Sequence, residues 1–212
     1  MDNKIVVFDM DDTLVDSHLR YTHGILQVLD EAGISYEAET LIPILNPLGF
    51  PRTADYYSAM GVPGTREEIV EKLLDSMVKL YTTDVHLMPG AREYLLQLKA
   101  GGARLFVLTA TPHRITDACL RMNGVYDLFE QVWCTDDFGH NQSESALFRQ
   151  VAEAIGCPPE DVTFYDDGVT AIRTARSAGW QTCGFLAPYA VENAGMTEVA
   201  HTCIHSFEEY LR

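Results

Sequence analysis

Three carboxylates, Asp9, Asp11 and Asp12, crowd into four positions directly behind the apolar run IVVF (Ile5–Phe8). Like charges at that spacing repel one another, so the chain must have a use for them. A carboxylate in such a place can bind a metal, attack a substrate or move a proton. Two carboxylates at i and i+2 serve one centre if the backbone turns between them. Two further acids, Asp166 and Asp167, follow a second apolar run, VTFY (Val162–Tyr165). A third run, LFVLTATP, closes its apolar part in Thr109. Its hydroxyl, with the free backbone N–H groups of a helix start, makes a cradle for oxygen anions. Four carboxylates and one hydroxyl behind three strands make a hard-cation site, and Mg²⁺ fits it best because it prefers oxygen ligands and keeps some of its waters. Acids behind strands also cap helices or close Asx turns. Asp12, with Thr13, is read that way, whereas Asp9, Asp11 and Asp167 are read together as a functional set.

For these groups to meet, their apolar runs must lie side by side. Ile5–Phe8 is short and β-branched, the pattern of a strand buried on both faces of a parallel sheet. Ala103–Ala110, Gln131–Thr135, Val162–Tyr165 and Gln181–Leu186 have the same character, and His201–Ile204 reads as a short edge strand. Helical patterns alternate with them, in PGAREYLLQLKAGG, SALFRQVAEAIG and TAIRTARSAGW. Strand and helix in alternation predict right-handed crossovers and a doubly wound, Rossmann-like parallel α/β sheet. Ligands of such sheets bind beyond the carboxyl ends of the strands, where these acids stand.

One stretch breaks the alternation. Between Ser17 and about His86 there is no convincing strand. HLRYTHGILQVLDEAG and TREEIVEKLLDSMVKLY are long amphipathic helix patterns, and NPLGFPRTADYYSAMGVPG between them reads as a loop rich in Gly and Pro. The expected division is an α/β catalytic core from residues 1–16 and 87–212, with a helical insertion at 17–86.

Composition narrows the partners. The chain of 212 residues is 47% hydrophobic, enough for a real core, and carries a net charge of −16. Such a charge repels polyanions, so neither a nucleic acid polymer nor a membrane surface is an expected partner. The five cysteines are odd in number and lack CxxC spacing, as expected of small core residues in a reducing cytosol. No basic start followed by an apolar run opens the chain, and no uncharged apolar stretch is long enough to span a bilayer. The expected location is therefore cytoplasmic.

The arrangement resembles the haloacid dehalogenase superfamily, in particular phosphoglycolate-phosphatase-like phosphatases with a helical cap. The first motif of that family, a strand followed by DxDx[TV], stands here as VVFDMDDTLVDS, the second as LFVLTA and the fourth, in its DD form, as TFYDDG. The resemblance spans nearly the whole chain and implies a two-step phosphoryl transfer. Asp9 would be the nucleophile and Asp11 the general acid and base. Mg²⁺ would be held by the Asp9 carboxylate, the Asp11 carbonyl and Asp167, with Asp166 nearby. Thr109 and the Ala110 N–H would hold the phosphoryl oxygens. The presence of Asp11 argues against the dehalogenase branch, and the insertion after the first motif corresponds to the cap. There Arg52 is the candidate for substrate contact, while Tyr56 and Tyr57 are expected to pack the cap.

The third motif departs from the family. A Lys is expected before the fourth strand, yet Gln142 occupies that place in QSESALF, and no Lys follows Lys99. His140, Arg114 and Arg149 are the conceivable replacements, with Arg114 nearest the phosphate site in sequence. Ala171 stands where the GDxxxD form has its later acid, which the DD form does not need. The expectation is a Mg²⁺-dependent phosphatase of a small phosphorylated metabolite, acting as a monomer or homodimer. The rival reading, which Gln142 favours, is a catalytically weakened relative that binds a phosphorylated ligand or a protein for regulation. A receiver domain, at half the length and without the insertion, does not fit.

Overall fold

The computed structural model describes residues 4–37, 49–187 and 195–211. In chain order its regular elements are β1 (Ile5–Phe8), α1 (Arg20–Glu31), α2 (Phe50–Ala59), α3 (Arg66–Thr83), α4 (Ala91–Ala100), β2 (Arg104–Thr109), α5 (His113–Met122), β3 (Gln131–Cys134), α6 (Ser145–Ile155), β4 (Val162–Asp166), α7 (Val169–Ser177), β5 (Gln181–Phe185), α8 (Met196–Val199) and β6 (Thr202–Ile204). Two compact units emerge, one from Met1–Asp16 with His86–Arg212 and one from Ser17–Val85.

The first unit is a parallel sheet in the order β3-β2-β1-β4-β5-β6. The strands are apolar on both faces because helices cover both. On one face Phe8 stacks on Tyr165 at 4.9 Å and meets Tyr94 and Phe207 edge-on. On the other, Val7, Phe106, Leu108 and Phe164 pack against Leu147, Phe148 and Val151 of α6. Trp180 sets its edge against Phe148 at 5.2 Å and Phe164 at 5.9 Å. Burying three rings of this size contributes several kcal/mol, about 2 to 3 for each side chain. The apolar spacing of α6 points Leu147, Val151 and Ile155 at the sheet, and Gly156, at φ 77°, ends the helix. The chain leaves and re-enters this unit through paired backbones, the Asp16 N–H donating to the His86 carbonyl at 2.9 Å.

The second unit is helical, and α1 and α3 form where their amphipathic patterns place them. Thr65 and Glu68 close a capping box at the start of α3. The stretch between them differs from its loop expectation. Phe50–Ala59 is a helix, with Pro51 in its first turn, where the missing N–H costs nothing. Gly49, at φ 73°, turns the chain in, and Phe50, Ala54 and Tyr57 are buried at helical spacing. Residues 46–48 of that stretch lie outside the described residues. The Tyr57 hydroxyl donates to the Ile25 carbonyl at 2.6 Å, and the Ser76 hydroxyl to the Gly24 carbonyl at 2.7 Å. All five cysteines are free, and Cys119, Cys134 and Cys183 are buried. No helix among the described residues is long and apolar enough to cross a membrane.

Candidate active site

Register places the acids. Phe8 pairs with Tyr165 across β1 and β4, so the next residues, Asp9 and Asp166, stand side by side at the end of the sheet. The Asp9 N–H extends the ladder by donating to the Tyr165 carbonyl at 2.8 Å. From β1 the chain order runs outward in both directions, to β2 and to β4, which makes this the topological switch point of the sheet. Phe8 also pairs with Val107, so Thr109 ends β2 close behind the same edge.

Asp9 and Asp166 are 7% and 3% exposed, unusual for carboxylates. A single amide links them. Gln142 Nε2 donates to Asp9 Oδ1 at 3.3 Å and to Asp166 Oδ2 at 3.4 Å. The Gly168 N–H donates to Asp166 Oδ1 at 2.6 Å. Burial, then the charges of Asp166, Asp11 and Asp167, push the Asp9 carboxyl well above its ordinary range, and the Gln142 bond offsets little of this. Burial and then Asp167 do the same to Asp166, against the Gly168 bond.

Asp11 is half-buried, and its Oδ2 accepts from Thr111 Oγ1 at 2.7 Å. Asp12 adopts φ 53°, a left-handed conformation that Asp tolerates. It turns the chain so that the Leu14 and Val15 N–H groups return to the Met10 carbonyl. Behind β2, the Thr111 N–H donates to Thr109 Oγ1 at 3.1 Å, and Thr116 Oγ1 donates to the Thr111 carbonyl at 2.9 Å. These bonds shape the Ala110–Pro112 turn that opens α5.

The donors gathered here are oxygens, which suits a hard divalent cation. Among the described residues no three His, Cys, Asp or Glu side chains converge as a ligand cluster. A cation would therefore draw on the Asp9 and Asp166 carboxylates, a backbone carbonyl and waters, a mixture typical of Mg²⁺. Two buried, mutually repelling carboxylates opposed by an amide and a peptide N–H form a site with unbalanced negative charge, and a cation fits it.

The profile of the haloacid dehalogenase-like hydrolases matches residues 3–179. The chain belongs to that family. Hexitol phosphatase B of Escherichia coli (strain K12) is 23% identical over 186 residues, covering 87% of this chain and 84% of the relative. Phosphoglycolate phosphatase of Nitrosococcus oceani is 26% identical over 183 residues, covering 84% and 81%. The fold is shared with the crystal structure of CbbY from Rhodobacter sphaeroides in complex with phosphate, at TM-score 0.78 and 18% identity, over 98% of this chain and 96% of that one.

In this haloacid dehalogenase-like hydrolase, Asp9, Asp11, Thr109, Ala110, Asp166 and Asp167 gather at the carboxyl edge of the sheet. Of the residues weighed against the missing Lys, His140 bonds Glu144 at 3.0 Å and Arg149 bonds Ser145 at 2.8 Å, both within their own segment. Arg114 is exposed in the first turn of α5. Gln142 itself reaches Asp9. Arg52 is exposed in the first turn of α2 in the helical unit, where Tyr57 is buried and Tyr56 half-buried.

Two features escaped the reading of the sequence. Thr111 holds Asp11, and the second hydroxyl of LTAT was the available signal. His113, at the start of α5, places Nε2 2.9 Å and 3.1 Å from the two Asp137 oxygens and Nδ1 3.4 Å from Asp117 Oδ1. It ties the cradle helix to the turn behind β3, and no local pattern marks that pairing.

Proposed function

We propose that this hydrolase is a Mg²⁺-dependent phosphatase that hydrolyses a small phosphomonoester through an aspartyl-phosphate on Asp9, with Asp11 as general acid and base. The observation that carries the reading is the pairing at one sheet edge. Asp9 is oriented by Gln142, and two residues on Asp11 is held by the Thr111 hydroxyl. A binding module needs no such pair of nucleophile and proton donor.

An Asp9 carboxylate oxygen attacks phosphorus, the bond to the ester oxygen breaks, and Asp11 gives that oxygen its proton. Water then attacks the aspartyl-phosphate, Asp11 takes the water's proton, and the phosphorus–Asp9 bond breaks to release inorganic phosphate. The Thr109 hydroxyl and the Ala110 N–H hold the phosphoryl oxygens throughout. Mg²⁺ would be held by Asp9, the Asp11 carbonyl and Asp167, with Asp166 alongside, and would supply positive charge against the negative charge of the phosphate. Arg114 is the nearest candidate for a further phosphate contact.

The substrate is a small phosphorylated metabolite, in keeping with relatives named for hexitol phosphates and phosphoglycolate and with phosphate bound in CbbY. The helical unit is proposed as the cap that selects the leaving group, with Arg52 as its contact, in a monomer or homodimer. Gln142 favours the second reading, a relative that binds phosphorylated ligands without turnover. A panel of phosphomonoesters with Mg²⁺ separates the two, with Asp9→Asn as the blank. Turnover at least about 100-fold above the blank, removed by chelation, is expected of a covalent catalyst. Rates equal to the blank across the panel select the binding reading.

A further inference from the structure

We infer that His113 is a positioning residue for the phosphate cradle: joined to Asp137 and Asp117, it ties the start of α5 to the end of β3 and covers their negative charge, so that the cradle binds a phosphoryl group most tightly while the imidazole carries its proton. That role rests on the phosphatase reading and deepens it, since His113 acts through the cradle and not on the substrate.

Thr109 ends β2 opposite Cys134, which ends β3. Asp137, three residues further on, returns its Oδ2 to the Cys134 N–H at 2.9 Å. The same carboxylate meets His113, whose Nε2 stands 2.9 Å from Oδ2 and 3.1 Å from Oδ1. His113 is the first residue of α5, and only Ala110, Thr111 and Pro112 separate it from Thr109. Strand pairing, the Cys134–Asp137 bond and the His113–Asp137 pair thus close a ring around the cradle. Within that ring Thr116 Oγ1 donates to the Thr111 carbonyl at 2.9 Å. A cradle of N–H groups works by preorganisation, because donors already aimed need no reorientation when the anion arrives.

Helix energetics do not account for a cation at this place. The first turn of a helix favours an acid, and an imidazolium there opposes the helix dipole. Burial also works against the proton, and the carboxylates of Asp137 and Asp117 outweigh it. Asp137 faces the ring from the turn behind β3, and Asp117 stands 3.4 Å from Nδ1 on α5 itself. The Tyr126 hydroxyl donates to the second Asp117 oxygen at 3.4 Å. Asp136, beside Asp137, acts on the Cys134 thiol. A protonated ring donates from both nitrogens, one to each carboxylate, and cancels one of their two charges. A neutral ring keeps a single donor. The tie from α5 to β3 then weakens, and two uncovered carboxylates border a cradle built for an anion.

Calorimetric titration with inorganic phosphate, in saturating Mg²⁺ and at a series of pH values, tests this without relying on turnover. Each variant is compared with wild type at the same pH, so the ionisation of phosphate itself cancels. His113→Gln should bind phosphate about fivefold more weakly than wild type near about pH 6, and the two should converge by about pH 9. His113→Lys keeps its charge throughout. It should match wild type near about pH 6 and bind about fivefold more tightly near about pH 9. Coupling is reciprocal, so phosphate should raise the midpoint of the His113 imidazole titration by about 0.7 pH unit. Nuclear magnetic resonance reads that midpoint, with the His113 signal assigned by its loss in His113→Gln. A purely structural His113 would weaken binding in His113→Gln by one factor at every pH, and that result overturns the inference while leaving the phosphatase reading standing. So does an imidazole midpoint that phosphate does not move, or a His113→Lys protein that follows wild type at every pH. Absence of phosphate binding to wild type at every pH overturns the inference and the phosphatase reading together.

Discussion

Thr111 Oγ1 donates to Asp11 Oδ2 at 2.7 Å while the Thr111 N–H donates to Thr109 Oγ1 at 3.1 Å. One residue thus joins the proposed proton donor to the proposed phosphate cradle. A bond to a carboxylate contributes about 1.5 to 3 kcal/mol. Thr111→Val should lower kcat by at least about tenfold, by releasing Asp11 from its orientation. Thr111→Ser keeps the hydroxyl and should stay close to wild type. Steady-state kinetics on any substrate found in the panel separates the two, and equal losses in both variants would discount the hydroxyl.

Asp9 sits above the ordinary carboxylate value of 3.8 because it is buried and then because Asp166, Asp11 and Asp167 surround it. The folded protein therefore keeps a proton that the unfolded chain has released. Stability linked to Asp9 is fully present below 3.8 and is lost as pH rises through the raised folded value. In the absence of divalent cations, Asp9→Asn should gain stability over wild type as pH rises across that window. Mg²⁺ should stabilise wild type and narrow the gap. Denaturant melts of both proteins across pH give the difference, and parallel curves would refute it.

For His113, burial lowers the pKa, but the bonds to Asp137 and Asp117 outweigh it and leave the imidazole above 6.5. Its contribution is fully present below 6.5 and fades as pH rises through the raised value. The side chain is 45% exposed, so the effect is screened and stays under about 1 kcal/mol. Thermal melts of His113→Gln against wild type should differ below neutrality and converge at alkaline pH.

Gly90 opens α4 at φ 76°, and a Cβ there would stand 2.6 Å from the Glu208 backbone nitrogen. A backbone atom cannot move aside as a flexible side chain does. Gly90→Ala should destabilise the sheet unit by about 2 to 4 kcal/mol, from the left-handed conformation and the overlap together. A chemical melt measures this. A loss below about 0.5 kcal/mol, ordinary for a surface substitution, would show that the 207–210 turn shifts freely.

The strands were readable because burial on both faces writes an unbroken apolar run, and β1, β2, β4 and β5 fall within a residue or two of those runs. Helix α2 was hidden because Gly49 and Pro51, signs of a turn, are equally the signs of a helix start. Which meaning applies depends on Phe50, Ala54 and Tyr57 finding a buried face, and a local pattern does not contain that face.

The site divides in the same way. Asp9, Asp11, Thr109, Asp166 and Asp167 were visible in the chain itself, since a charged or hydroxyl residue ending a buried strand has few structural uses. That Asp9 and Asp166 are neighbours was decided by the register of β1 on β4. That Gln142 spans them, and Thr111 holds Asp11, was decided by side chains 133 and 100 positions apart in the chain being brought within bonding distance. Composition and spacing act over a few residues and so specify elements and their ends. Pairing of strands acts across the whole chain, and it determines which of those ends share one pool of charge.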